Sequence, residues 1–317
     1  MNKIDITIVM AIYKPRLDWL QEELVSIYKQ TYRNFQLIVW NDCPNDKFDY
    51  NAFFKKYLID IPFCIYHGDK NLGSNGAFEN LTKKVDTPFI AYCDQDDIWM
   101  PDKLEKLYEI LNTSDATLAY SDMQVINENS EVIAQHICEI RPRQKFYSGK
   151  DALPHLLAKN FVTGCTMMMR TDIAQKAVPF PSSVFHDWWL AVFAAMTGNI
   201  VKSKFTLMKY RIYGGNQSAV LKGITDKKSY FEIRIAKHYE FIQEVVNNFE
   251  KDKRVNKVEK WVKARVKYFN NPSMTNLKMM IDLRKINLST TIFEIILPYL
   301  PNVLFEFIIS TIKSGKL

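Results

Sequence analysis

Asp94, Asp96 and Asp97 place three carboxylates within four positions, directly after the apolar run Phe89-Ile90-Ala91-Tyr92-Cys93 and just ahead of Trp99 and Pro101. Carboxylates this close raise one another's pKa unless a cation or a set of hydrogen bonds keeps them ionised. A divalent metal answers that need. Mg²⁺ and Mn²⁺ favour carboxylate oxygens and commonly take one or two from the protein while substrate phosphates fill the rest. The plainer use of the same residues is an N-cap, from Asp97 or Asp102, for the helix that follows.

Other groups stand at comparable places. Asp42, in Asn41-Asp42-Cys43-Pro44, closes a second apolar run and suits a base or ribose, or an ordinary turn. Asn71-Leu72-Gly73-Ser74-Asn75-Gly76-Ala77 leads a glycine-containing loop into a helix, whose first amides suit a phosphate or a simple cap. Asp187 precedes Trp188 and Trp189, which on their own read as the acidic first turn of a buried helix with two core tryptophans. The loop Ala11-Ile12-Tyr13-Lys14-Pro15 lacks the G-x-G-x-x-G turn, which disfavours a nicotinamide or flavin cofactor.

These groups need a frame to bring them together. Buried-strand runs at residues 4–12, 35–40, 63–66 and 89–93 alternate with helical patterns, among them the stripe Leu17, Leu20, Leu24 and Ile27 and the segment 74–84. Such alternation specifies α/β architecture, a mostly parallel sheet flanked by helices, with ligands at the carboxyl ends of the strands. Further strands are expected at 117–120, 162–169 and 200–208. From about residue 227 strand signals stop. Val255, Val258, Val262, Val266 and Phe269 form a narrow helical stripe opposite lysines and arginines, and Asn271-Pro272 breaks it. Two domains are therefore expected, 1–226 for the chemistry and 227–317 as a helical, basic, amphipathic extension.

Composition narrows the classes. The 317 residues, 47% of them apolar, have room for two domains and a sizeable core. No secretory signal precedes the first strand, so a cytoplasmic protein is expected. Cys43, Cys64, Cys93, Cys138 and Cys165 contain no C-x-x-C pair and read as reduced thiols, without a zinc site or disulfide framework. Of the net charge of +7, residues 251–285 carry eleven Lys or Arg against three Asp or Glu, a net of +8, leaving the remainder at −1. The basic character belongs to one segment, which argues against nucleic acid as partner. Beyond it the chain is strongly apolar, yet Pro298, Pro301, Glu294 and Glu306 argue against a spanning helix. Such helices suit an anionic membrane surface on the inner face of the cell membrane, or packing on the rest of the chain or on a second copy in a homo-oligomer.

In order and spacing these pieces resemble the family 2 glycosyltransferases of the GT-A fold, over roughly residues 4–218. The resemblance rests on the first strand and its loop, Ser26-Ile27-Tyr28-Lys29-Gln30-Thr31-Tyr32, Asn41-Asp42, Asn71-x-Gly73, Asp94-Gln95-Asp96-Asp97-Ile98-Trp99 with Pro101-Asp102-Lys103-Leu104, and His186-Asp187-Trp188-Trp189-Leu190. It implies an inverting, metal-dependent hexosyltransferase that uses Mn²⁺ or Mg²⁺ and moves a sugar from a nucleotide-sugar donor to a glycan or lipid-linked acceptor in surface polysaccharide synthesis. The Asp-Gln-Asp-Asp-x-Trp form resembles bacterial rhamnosyltransferases and implies dTDP-L-rhamnose, with UDP-hexoses close behind. By the same resemblance Asp42 meets the base, Asp94 the ribose and Asp96 the metal, while Asp97 supports the loop or caps the helix. Ala11, Tyr13, Asn71, Gly73 and Arg211 complete the nucleotide-sugar site, and Asp187 is the catalytic base. Gly164, His186, Trp188 and Trp189 fall on the acceptor side, with Asp122 beside them. Two positions depart from the family pattern: His186 stands where relatives often carry Glu, and Tyr213 where many carry a metal-binding His. Arg211, Asn216 and Ser218 around Gly214-Gly215 read as a lid over the diphosphate, or as a surface turn. A non-catalytic nucleotide-sugar-binding partner of another transferase, or a nucleotidyltransferase, are the competing functions.

Overall fold

The computed structural model describes residues 3–214, 221–249 and 252–313. The lid residues Gly215, Asn216 and Ser218 lie outside the described residues. Among the described residues nine strands form one sheet: β1 (Ile6–Ile12), β2 (Phe35–Asn41), β3 (Phe63–His67), β4 (Phe89–Cys93), β5 (Ile98–Trp99), β6 (Ala116–Ile126), β7 (Val132–Ala134), β8 (Met167–Arg170) and β9 (Asn199–Arg211). Their order is β3-β2-β1-β4-β8-β6-β9-β5, with β7 paired to β6.

The half β3-β2-β1-β4 is parallel throughout. Helices Leu17–Tyr28, Tyr50–Tyr57 and Gly73–Lys84 make the crossovers that parallel neighbours require. Beyond β4 the sheet is mixed, with β8 antiparallel to both β4 and β6, β5 antiparallel to β9 and β6 parallel to β9. The strand expected over 162–169 is shorter than that pattern suggested. Gly164–Thr166 forms a single tight turn, closed by the Thr166 amide on Thr163 O at 2.9 Å, and β8 starts only after it.

The core of the sheet follows directly from the apolar runs. Ile6, Ile8, Met10 and Ile12 of β1 pack with Leu20, Leu24 and Ile27 of the first helix and with Leu37 and Val39 of β2. Glu23 lies on that same buried helix face, three residues after Leu20, so a carboxyl is carried beneath the sheet's carboxyl edge.

The chain divides into two compact units. The first runs to Ala152 and resumes from Phe161 to Tyr213; the second takes Leu153–Asn160 and the chain from Gly214 onward. Leu221 and Ile224, ahead of the helical pattern, pack with Tyr230, Leu297 and Phe305 of the second unit. Its helices start where short polar side chains cap them: Asp252, Ser273 and Asn287 accept from the amides of Arg254, Asn276 and Thr290. Asn271-Pro272 separates Lys253–Asn270 from Met274–Leu283, as the sequence indicates. Inside this unit the buried Arg265 guanidinium grips Glu294 through two bonds of 2.7 and 2.6 Å and donates to His238 Nδ1 at 2.7 Å.

Candidate active site

Four strand ends and one helix start converge on the site. β1 delivers the loop of Tyr13 and Lys14, β2 delivers Asp42, β4 delivers the acidic loop and β9 delivers Arg211 and Tyr213. Helix His186–Thr197 begins with Asp187 in its first turn. An open cleft of about 770 Å³ lies beside the β1 and β2 loops, lined among others by Tyr13, Lys14, Pro44, Phe48 and Asn71. Its lining stops short of the acidic loop, and Gln95 joins the two. The Gln95 amide accepts from Tyr13 N at 2.8 Å and donates to Tyr13 O at 3.3 Å, which fixes the first loop on the acidic one.

Asp42 is buried and spends its carboxylate on backbone. Oδ1 accepts from Leu72 N at 2.8 Å and Trp40 Nε1 at 3.2 Å, and Oδ2 accepts from Gly73 N at 2.8 Å. This changes the reading of the Asn71-x-Gly73 loop: its leading amides face Asp42, so an internal carboxylate already holds the anion position offered to a phosphate. Gly73 is at φ +68, the left-handed region that glycine adopts without strain. Asn71 Oδ1 accepts from Gly73 N at 3.0 Å and its side chain lines the cleft. Ala11, half-buried on β1, stands in register with Trp40.

The acidic loop is a strained collection of charge. Burial, with Asp96 and Asp187 close by, pushes Asp94 up to about 7. Burial also raises Asp96 and carries Asp97 well above the usual carboxylate range. Asp97 Oδ1 accepts from Arg211 N at 2.9 Å, whereas its Oδ2 is buried without a hydrogen-bond partner. Neither Asp97 nor Asp102 caps the next helix; Asp97 is tied to β9 and Asp102 makes no side-chain cap bond. The Tyr213 hydroxyl donates to Asp96 Oδ2 at 2.7 Å.

Arg211 is fully buried rather than turned toward a ligand. Its guanidinium donates to Asp96 O at 2.8 Å, Asn127 O at 3.1 Å, Ser130 Oγ at 2.9 Å and Glu22 Oε2 at 2.5 Å. It fastens the acidic loop to the sheet. A strand-end arginine amid the β-branched and aromatic residues of β9 gave no sequence signal for which way it points.

Beneath the loop lies a second layer that sequence reasoning did not assign. Lys103 is fully buried; its Nζ donates to Cys165 O at 2.5 Å and sits 3.5 Å from the centre of the Trp99 indole. Burial lowers its pKa, opposed by the surrounding acids and thiols. Glu23, fully enclosed, is pushed up to about 8 by burial. Ligand atoms of Asp94, Asp97 and Cys165 lie within 4.8 Å of one another. Burial holds the Cys165 thiol protonated, so it is a poor ligand for a hard cation. Asp94 and Asp97 together with the neighbouring Asp96 supply carboxylate oxygens of the kind Mg²⁺ or Mn²⁺ takes, Asp97 Oδ2 being buried without a hydrogen-bond partner, while Asp96 stands outside the closest group.

Asp187 is reached from the same turn. Gly164 N donates to Asp187 Oδ2 at 3.3 Å and Trp188 N to Oδ1 at 2.6 Å, which orients the carboxylate at a helix N-terminus. Asn75, unassigned from sequence, holds the approach to that helix: it accepts from His186 N at 2.8 Å and donates to Val184 O at 2.7 Å and Pro181 O at 3.1 Å. His186 is turned inward, 6% exposed, its ring centre 4.2 Å from that of Phe78 at a 31° tilt, with both ring nitrogens unpartnered and its pKa pushed down by burial to about 3. The ring is covered by neighbouring side chains and makes no hydrogen bond to Asp187. Trp189 is core, its Nε1 donating to Ala177 O at 2.6 Å, while Trp188 stays half-buried beside Asp187. Asp122 is buried against His136, at 3.0 Å.

Comparison with known proteins gives a consistent picture. Residues 7–177 match the family described as Glycosyl transferase family 2. The chain is 26% identical over 214 residues to the Escherichia coli UDP-Glc:alpha-D-GlcNAc-diphosphoundecaprenol beta-1,3-glucosyltransferase WfgD, spanning 67% of this chain and 79% of that protein. The structure of S. aureus TarS 1–349 in complex with UDP-GlcNAc superposes with a TM-score of 0.62 at 12% identity, covering 98% of this chain and 90% of that one. The mannosyltransferase PcManGT of Pyrobaculum calidifontis, solved with GDP-Man and Mn²⁺, gives a TM-score of 0.54 at 12% identity over 91% and 83%. At that identity the structural likenesses speak for the fold.

Proposed function

The chain belongs to glycosyl transferase family 2, and from that premise we propose that it is an inverting transferase, placing one sugar from a nucleoside-diphosphate donor on a hydroxyl of a lipid-linked glycan in surface polysaccharide synthesis. The observation that carries this is the turn Gly164–Thr166, whose first amide, with that of Trp188, aims the Asp187 carboxylate while the ligand atom of Cys165 lies within 4.8 Å of those of Asp94 and Asp97. In one displacement the acceptor hydroxyl attacks the anomeric carbon opposite the diphosphate, Asp187 takes the hydroxyl proton, and the nucleoside diphosphate leaves. Trp188 walls the acceptor side and keeps bulk water from competing.

The donor nucleotide lies along the cleft by Tyr13 and Asn71, with the ribose toward Asp94. Asp96, assisted by Asp94, would hold Mn²⁺ or Mg²⁺, whose chemistry is to neutralise charge building on the departing diphosphate. Asp42 and Gly73 shape the base end through backbone, and Arg211 keeps the loop in place. The UDP-Glc donor in the name of WfgD favours a UDP-hexose over dTDP-L-rhamnose. WfgD's diphosphoundecaprenol acceptor supports a lipid-linked one here, used at the inner face of the cell membrane.

Calorimetry with a panel of nucleoside diphosphates and nucleotide sugars, with and without Mn²⁺, tests the donor half. Binding of one nucleotide series, strengthened by Mn²⁺, is expected; no binding in any combination would overturn the assignment. Product NMR reads the stereochemistry, and retention of the donor's anomeric configuration would sink the single displacement.

A further inference from the structure

The helices that end the described chain carry more apolar surface than their own unit uses. Helix Leu288–Ile296 buries Thr291 and Glu294, and the turn after it buries Leu297. Helix Asn302–Lys313 buries Phe305 and Ile309, and Phe293 meets Phe305 with ring centres 6.4 Å apart. With these inward positions filled, a second set faces water. Leu288, Ile292 and Ile296 repeat at i, i+4 and i+8 and are all exposed. Tyr299 follows at 69% exposure, then Val303 at 80% and Phe307 at 64%, again four residues apart. Monomers rarely leave apolar side chains of this size in sequence along a solvent face without an interaction to satisfy them.

Charge decides among the occupants. Residues 251–285 carry a net +8, and Lys278, Arg284 and Lys285 are exposed immediately ahead of Leu288. Two copies joined through the helix that starts at Leu288 would bring the exposed Arg284 and Lys285 of each toward one another, a penalty that an anionic surface turns into an attraction. Among the described residues no helix is long and apolar enough to cross a membrane, so the residues suit insertion to side-chain depth only. We propose that this face docks on an anionic phospholipid bilayer, with the helices Leu288–Ile296 and Asn302–Lys313 lying in the plane of the headgroups. The docking stands on the helical unit alone; its use in presenting a lipid-linked acceptor rests on the function proposed above.

Flotation of the full chain with vesicles tests it, comparing mixed phosphatidylglycerol and phosphatidylcholine with phosphatidylcholine alone, in the absence of donor and acceptor. Co-flotation with the anionic vesicles is expected, weakened about tenfold or more in high salt. The pair Val303→Ser with Phe307→Ser should abolish it, and Arg284→Gln with Lys285→Gln should weaken it, both leaving nucleotide affinity by calorimetry unchanged. Failure of the full chain to float, or flotation that these exposed substitutions leave untouched, would overturn the proposal. So would a stable dimer by sedimentation velocity that the Val303/Phe307 pair dissociates, since the face would then belong to a second copy. Because no sugar transfer is measured in this assay, its outcome is independent of whether the enzyme reading holds.

Discussion

Burying Asp94 in the loop and Glu23 beneath it sets a pH dependence that the apoprotein should display. Both acids titrate higher in the folded chain, at about 7 and about 8, than when unfolded, so the folded state holds their protons more tightly. A raised folded pKa contributes stability that is complete below the unfolded pKa and is lost as pH rises through the folded one. His186 and His238, both pushed down to about 3, act in the opposite sense, but their contribution is complete above about pH 6.5. Between about pH 6.5 and 8 the histidine contribution is flat while the raised acids ionise, and the thermal midpoint of the metal-free protein is expected to fall by a few degrees. Mn²⁺ should flatten that slope, because it favours the ionised carboxylates. A midpoint that rises over this range without metal would show that the loop's charge is balanced elsewhere. Tyr213 offers a second residue-scale test. Its hydroxyl occupies Asp96 Oδ2, so Tyr213→Phe should free that oxygen and tighten Mn²⁺ binding severalfold in an electron paramagnetic resonance titration; weaker binding would mean the phenol assists the metal.

At the scale of elements, the turn Gly164–Thr166 links the two halves of the site. Its first amide reaches Asp187, and its second residue is gripped by Lys103 through the carbonyl while the thiol stands beside Asp94 and Asp97. A side chain at Gly164 has no room: its Cβ would lie 2.9 Å from His186 Nε2. Gly164→Ala should therefore displace helix His186–Thr197 and cut transfer by more than tenfold, with nucleotide affinity much less affected. Equal losses in both would place Gly164 in general folding instead. The strands leading to this turn were largely readable from sequence, since β1 to β4 each form a run of β-branched and aromatic residues bounded by polar loops. The turn itself was not, because Val162 to Met169 mixes apolar residues with threonines that a strand also tolerates, and the bond from Thr166 N to Thr163 O is what interrupts it. Lys103 could have been noticed as a charged residue four positions before Leu107 on the buried face of its helix. Nothing in Asn75 or Gln95 distinguishes them from ordinary loop amides until their partners, more than eighty residues away, are in place. The same limit applies to Asp42, Arg211 and His186, whose types suggested ligands but whose burial gives them protein partners or none.

For the molecule as a whole, the basic segment visible in the sequence lies inside the helical unit, which also takes Leu153–Asn160 and begins at Gly214, ahead of the boundary expected at 227. The helical unit is held by an ion pair that water does not reach. Arg265 and Glu294 are each 3% exposed, and the Tyr230 hydroxyl donates to the same carboxylate at 3.0 Å. Removing one partner leaves the other buried and uncompensated, so Glu294→Gln is expected to cost about 3–5 kcal/mol in chemical denaturation. A loss below 1 kcal/mol would show that the network relaxes to find water. The proposed sugar transfer depends on Asp187 as its base. The most direct measurement is transfer and nucleotide-sugar affinity side by side for the protein and its Asp187→Asn variant, which keeps the shape and the amide contacts at Oδ1 while losing the basic carboxylate. Transfer is expected to fall by about a thousandfold or more with affinity changed less than threefold; a variant that transfers sugar at the native rate would contradict it.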